Sequence, residues 1–281
     1  MTGRVLQYPL RAGGVTTRVL ECGDGARTAL CLHGSGSRAD RWAPALPLLA
    51  ELGLHVYAID YPGHGLAEKP AGYPYGSPAF AEVAADVVDQ LGGDPLVLLG
   101  TSIGGHVAAL VAAARPGRVA SAVMIGAVGL VAVPDAVRPA SSPITNVSLA
   151  GVRAKLEFLV FDSSIVTDDW VREESRINSS PGAEAALVAL GRYSNEELNN
   201  DLVGDEYAAL GIPTLLCWGA NDRWIPPSVG YDVAKLLPDA PLCLVERAGH
   251  APYYERPEAF VEVVRRFLED PAAMEPGPFS V

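Results

Sequence analysis

The sequence predicts an α/β fold, a mostly parallel sheet flanked by helices and interrupted by one helical insertion. Three observations carry that prediction. Short apolar runs alternate with longer helical patterns, as crossover connections between parallel strands require. The runs are continuous rather than alternating, the pattern of strands buried on both faces. The stretch 134–210 keeps helical periodicity but offers no convincing strand.

Strands are predicted at 28–32, 55–59, 96–99, 122–125, 214–218 and 242–245. Ser77 and Pro78 supply a helix start, with Ser77 as N-cap, for a segment ending near Leu91. Residues 104–114 are small and apolar, which predicts a helix buried against the sheet. The longest apolar stretch, 119–133, is too short to span a bilayer and contains two glycines, so it reads as a buried strand entering a loop. Thr167 followed by Asp168 and Asp169 marks a helix start within the insertion. Pro257 opens an amphipathic helix over 258–269, and the Pro-rich last dozen residues are expected to be loose. The expected organisation is a core of 1–133 and 211–281 around a helical cap of 134–210.

Composition narrows the function. With 49% hydrophobic and 19% charged residues, the 281-residue chain can bury a large core, which argues against disorder and coiled coil. A net charge of -12 repels phosphate backbones and anionic lipid surfaces, so neither nucleic acid nor membrane is an expected partner. No apolar run follows Arg4, so the start of the chain does not read as a secretory signal. Cys22, Cys31, Cys217 and Cys243 lack Cys-x-x-Cys spacing and read as buried thiols of a cytoplasmic protein. No metal site stands out and no cofactor is expected. The expected partner is a small-molecule substrate, with homo-oligomerisation left open.

The strongest local signal is Gly100-Thr101-Ser102-Ile103-Gly104, placed directly after an apolar run and before a helical pattern. A serine on a sharp strand-to-helix turn presents its hydroxyl above the sheet edge, and small flanking residues let the turn pack closely. Without that context the same five residues would be a glycine-rich turn with an incidental serine. A serine nucleophile needs a base. Of five histidines, His55 and His106 read as packed residues, His64 as exposed in a turn-rich loop, and His33 as structural. His250 lies past the last predicted core strand, at a carboxyl end, where open α/β sheets present ligands. Asp222, in Gly219-Ala220-Asn221-Asp222, is placed to orient it, with Asp135 as the rival acid. The backbone amides of Ser35 and Ile103 are the expected oxyanion donors, each able to lower the barrier by about 3–4 kcal/mol.

Together these residues resemble the α/β-hydrolase superfamily, over essentially the whole span from Thr28 to Leu268. The matching pieces are His33-Gly34-Ser35-Gly36, Asp60-Tyr61-Pro62-Gly63-His64-Gly65, the Ser102 turn, Gly219-Ala220-Asn221-Asp222 and Gly249-His250. The resemblance implies an α/β-hydrolase fold with a helical cap. Within the cap, residues 156–162, 165–169 and Arg176 resemble bacterial meta-cleavage-product hydrolases, which cut a carbon–carbon bond in 2-hydroxy-6-oxo-dienoates. By that resemblance Arg176 would clamp the substrate's carboxylate. Trp224 is a further candidate substrate contact, with Phe158, Phe161, Trp170 and Tyr193 as aromatic pocket candidates. Two stretches depart from that family's pattern: Ala251 stands where a tryptophan is usual, and Ser37-Arg38 where a proline-glycine turn is usual. The reading is therefore a serine hydrolase for a small acyl or vinylogous diketone substrate. Carboxylesterase, lactonase, cofactor-free oxygenase and ligand-binding protein remain alternatives on the same fold.

Overall fold

A computed structural model describes residues 3–137 and 142–281. The chain opens with a hairpin, β1 (Val5–Ala12) and β2 (Val15–Cys22). The parallel core follows as β3 (Arg27–Leu32), α1 (Ala45–Glu51), β4 (Leu54–Ile59), α2 (Ser77–Leu91), β5 (Leu96–Thr101), α3 (Ile103–Ala114) and β6 (Val119–Ile125). Between β6 and β7, the described residues form helices and single 3-10 turns only. The helices are α4 (Ser142–Thr145), α5 (Leu149–Leu159), α6 (Asp168–Asn178), α7 (Ala183–Glu196) and α8 (Gly204–Ala209). The core resumes with β7 (Thr214–Gly219), α9 (Pro227–Leu236), β8 (Pro241–Val245), α10 (Pro252–Glu255), α11 (Pro257–Glu269) and β9 (Gly277–Ser280). The result is an α/β-hydrolase fold.

The strand order is β1-β2-β4-β3-β5-β6-β7-β8-β9, antiparallel at β1–β2 and β2–β4 and parallel from β4 onward. From β3 the chain moves to one neighbour, β4, and then returns to the other side with β5. That reversal opens a crevice between the carboxyl ends of β3 and β5, where the loops after both strands can converge on one ligand. Alternate residues of β3 feed opposite faces. Leu30 and Leu32 pack with α2, α3 and α9, whereas Ala29 and Cys31 pack with α1 and α11. The helical stretch has a small core of its own, built from Val152, Leu156, Val160, Val166 and Val171.

All six predicted strands form. The hairpin and β9 are additions. In β1 most residues are exposed and Pro9 sits mid-strand, so this edge strand carries no continuous apolar run. The carboxyl-terminal segment, expected to be loose, instead pairs in parallel with β8, and Phe279 packs on the core. Helix α2 starts at Ser77 with Gly76 as its N-cap, one residue before the predicted cap. All four cysteines are buried and free. Among the described residues, no helix is long and apolar enough to cross a membrane.

Candidate active site

Ser102 stands between β5 and α3 with φ 55° and ψ -123°, a conformation an L-residue adopts only under strain. Its amide donates to Ile125 O at 2.8 Å, which ties the turn to β6. The helix crosses close to β3 here: a Cβ on Gly104 would lie 2.4 Å from Leu32 O, so only glycine allows the approach. Ile103 is the first residue of α3, so its amide belongs to the unpaired donors at the helix's positive end.

His250 reaches the same crevice from the loop after β8, and Asp222 from the loop after β7. His250 Nδ1 donates to Asp222 Oδ2 at 2.7 Å. The other carboxylate oxygen accepts from the amides of Trp224, at 2.8 Å, and Ile225, at 2.9 Å. Asp222 is thus held at both oxygens and leaves the imidazole one orientation. Gly126 makes room for the pair, since a Cβ there would stand 3.0 Å from the imidazole and 3.2 Å from the carboxylate. His250 Nε2 is buried and has no hydrogen-bond partner among the described residues. Ser102 Oγ is therefore not hydrogen-bonded to it, and a serine–histidine contact of this kind can tighten when substrate binds. Ser102, His250, Ser35 and Trp224 nonetheless line one cavity of about 30 Å³.

The loop after β3 carries Ser35 and is fixed from below by two histidines. His33 Nε2 accepts from the Tyr61 amide at 3.0 Å, leaving Nδ1–H to donate to Gly34 O at 2.8 Å. His64 Nε2 accepts from the Gly36 amide at 3.2 Å, with Nδ1–H directed to Pro62 O at 3.1 Å. Both bonding patterns require neutral rings. Burial lowers His33 to about 4 and His64 to about 3, the latter also through repulsion from His33. The expectation that His64 is exposed is overturned, because its loop folds under the Ser35 loop. His55, expected in the core, is half-buried and pairs with Glu21 at 2.7 Å. His106 is buried as expected and bonds Asp201 O at 2.8 Å.

Two groups that sequence reasoning missed shape the site. Glu255 of α10 accepts from the amides of Phe161, Gly249 and Ala251, at 2.6 to 3.2 Å, and so brackets His250. Its carboxyl is raised by burial, against the opposing pull of those amides. The second group is a buried ionic seam centred on Glu174 of α6. Lys155 meets Glu174 at 2.6 Å, Arg38 at 2.9 Å and Arg41 at 3.3 Å. Burial alone would raise Glu174, but the three cations and the Lys155 hydrogen bond outweigh it and hold the carboxyl at about 2. Lys155 also donates to Gly36 O at 3.0 Å, which joins the seam to the Ser35 loop. No local motif announces either group.

The expected substrate residues divide. Trp224 lines the cavity, its ring 6.3 Å from that of His250. Arg176 is exposed and does not line it. Helix phase explains this: α6 buries Val171, Glu174 and Asn178, and Arg176 lies two residues, roughly 200°, round from Glu174. The arginine that does line the cavity is Arg41. Phe158 and Phe161 are largely exposed, Tyr193 and Trp170 are absent from the lining, and Leu159 is the residue of the helical stretch that reaches it. Asp135, the rival acid, is exposed in a 3-10 turn. Among the described residues, no cluster of three or more His, Cys, Asp or Glu is placed to hold a metal.

A strained serine elbow at a topological switch point, facing a carboxylate-oriented imidazole, defines a hydrolase scaffold of the α/β class. The chain belongs to the alpha/beta hydrolase family, whose model matches residues 29–263. It is 29% identical over 269 residues to a 2-hydroxy-6-oxononadienedioate/2-hydroxy-6-oxononatrienedioate hydrolase of Klebsiella pneumoniae subsp. pneumoniae, covering 91% of this chain and 92% of that protein. It is likewise 29% identical to a 2-hydroxymuconate semialdehyde hydrolase of Pseudomonas putida, with 94% of each covered. Among solved structures it resembles a meta-cleavage product hydrolase from Pseudomonas fluorescens IP01. That likeness has a TM-score of 0.82 and 25% identity, covering 94% of this chain and 97% of the other. The protein is an enzyme, a hydrolase.

Proposed function

We propose that the protein is a serine hydrolase that cleaves a carbon–carbon bond in a 2-hydroxy-6-oxo-dienoate or a related vinylogous diketone. The observation that carries the reading is the single cavity shared by the strained Ser102 and an imidazole already oriented by Asp222. The names of the relatives supply the substrate class.

In this reading His250 first helps shift a proton so that the dienol becomes a ketone, giving the later fragment an electron sink. Ser102 Oγ then attacks the distal carbonyl carbon while His250 Nε2 takes the hydroxyl proton. Asp222 stabilises the imidazolium. The developing oxyanion is received by the amides of Ser35 and Ile103. Collapse breaks the carbon–carbon bond, the leaving enolate takes the proton from His250 Nε2 and departs as the enol, and an acyl group stays on Ser102. Water, deprotonated by His250, then frees the acid. Residues 134–210 act as a cap over residues 1–133 and 211–281. A cavity of about 30 Å³ holds about one water, so the cap or the lining side chains shift to admit substrate. The buried free cysteines suit work in the cytoplasm.

The test is absorbance decay of a 2-hydroxy-6-oxo-dienoate with wild type beside Ser102→Ala. Decay in wild type, with a loss of about 10⁶ in kcat for the variant, is the expected result. An untouched dienoate rejects the carbon–carbon reading and brings forward esters and lactones. Substantial activity in Ser102→Ala rejects the nucleophile and points to base catalysis of the oxygenase kind.

A further inference from the structure

Arg41 has a position that the proposed chemistry leaves unused. It lies in the 3-10 turn Ala39–Trp42, just past the loop that carries Ser35. It lines the cavity at Ser102 and His250, and also an outer cleft of about 370 Å³ formed with Arg38, Asp40, Asp169, Trp170, Glu173 and Tyr254. The three carboxylates of that cleft are each paired with an arginine, Asp40 and Glu173 with Arg38 and Asp169 with Arg172. The guanidinium carbon sits 4.3 Å from the Trp170 ring centre and 5.2 Å from that of Tyr254. Arg41 is therefore the partition between an inner space of about 30 Å³ and a much larger outer one. A substrate that enters from the outer cleft passes Arg41 on its way to Ser102.

The partition is also the loosest member of its ionic group. Glu174 holds Lys155 at 2.6 Å and Arg38 at 2.9 Å, while Arg41 stands at 3.3 Å. If Arg41 turns away, Glu174 keeps two close cations and no buried carboxylate is stranded.

We propose that Arg41 is a specificity-determining residue that binds an anionic group of the substrate at the neck of the cavity, exchanging its Glu174 contact for that group. The proposal deepens the hydrolase reading and rests on it for the reacting centre, but not on carbon–carbon cleavage. An ester pair makes the two separable. The readout is kcat/KM for 4-nitrophenyl hydrogen glutarate divided by that for 4-nitrophenyl valerate, a pair that differs by the terminal carboxylate. Wild type should favour the anionic ester. In Arg41→Gln the ratio should fall about 100-fold, with Arg41→Lys recovering part of it, because a point charge replaces a fork. General damage to the fold lowers both esters together and leaves the ratio standing. A ratio unchanged in Arg41→Gln, or a wild type without preference, overturns the proposal. So does a ratio that collapses in Arg176→Gln and survives in Arg41→Gln, which returns the anion to Arg176. If the dienoate is untouched while the ester ratio behaves as expected, the carbon–carbon reading fails and the Arg41 assignment stands.

Discussion

The Ser35 loop is held from two sides by opposite physics. From the core, neutral His64 accepts the Gly36 amide; from the helical stretch, charged Lys155 donates to the carbonyl of the same residue. The core side works because desolvation keeps its rings uncharged. On the other side, desolvation is outweighed by packing three cations round one carboxylate. One residue, Gly36, thus depends on a base that must stay neutral and on an acid, Glu174, that must stay ionised. The two supports fail in different pH windows, and that difference can be measured.

The largest expected effect lies on the core side. His33 and His64 are lowered to about 4 and 3, and His106 to about 4, in each case first by burial. A histidine with a depressed folded pKa stabilises the fold fully above its unfolded value of about 6.5, and loses that contribution as pH falls toward the folded value. Each such ring costs up to about 1.4 kcal/mol per pH unit in that window. The three together should remove about 6 kcal/mol between roughly pH 7 and pH 5, most of the stability of an ordinary domain. Urea midpoints across that range give the slope. Flat stability down to pH 5 would mean that the rings are protonated in the folded state, contrary to the hydrogen-bonding pattern.

What was readable beforehand follows the same division. Ser102, Asp222, His250 and Ser35 could be placed because each follows a parallel strand at its carboxyl end, and such strands declare themselves as continuous apolar runs. The β1–β2 hairpin and β9 could not: the edge strands β1 and β9 are half-exposed and carry Pro9 and Pro278, and β2, though buried, holds Thr16, Thr17, Arg18 and Glu21 in place of a continuous apolar run. The ionic seam was also hidden. Arg38 and Arg41 lie 136 and 133 residues from Glu174, and nothing local relates them. The family resemblance of the cap points to Arg176 as a carboxylate clamp, while the phase of α6 turns it to solvent. His64 looked exposed because turn-rich sequence does not reveal which loop folds under another.

The seam should give the next largest effect. Glu174→Ala leaves Lys155 and Arg41 buried beside a missing charge, while Arg38 keeps Asp40 and Glu173, and should cost about 3–5 kcal/mol. The acid dependence of this part runs in a lower window. Glu174 has its carboxyl lowered to about 2, so its contribution is complete above the unfolded value near 4.5 and fades as pH falls from there. Comparing wild type and variant at neutral pH and near pH 4 separates the two supports. The difference between them should shrink only below about 4.5. If Glu174→Ala proves neutral at pH 7, the seam is a consequence of the placement of α5 and α6 and not a cause of it.

The smallest effect sharpens the comparison within the seam's own helix. Thr167, predicted as a helix start, is the N-cap of α6, and its hydroxyl accepts from the Trp170 amide at 3.2 Å. Thr167→Ala should cost about 1 kcal/mol, and Thr167→Ser less, because only one exposed amide loses its acceptor. Chemical denaturation reads the difference, and the double variant with Glu174→Ala reads its origin. Additive losses mean that the cap starts the helix while Glu174 independently docks it. A double variant no worse than Glu174→Ala alone means that α6 has already come away without its buried charge, so the cap has nothing left to hold. A loss of several kcal/mol from Thr167→Ala alone would reverse the ranking, making a local signal rather than the long-range cluster the main support of this face.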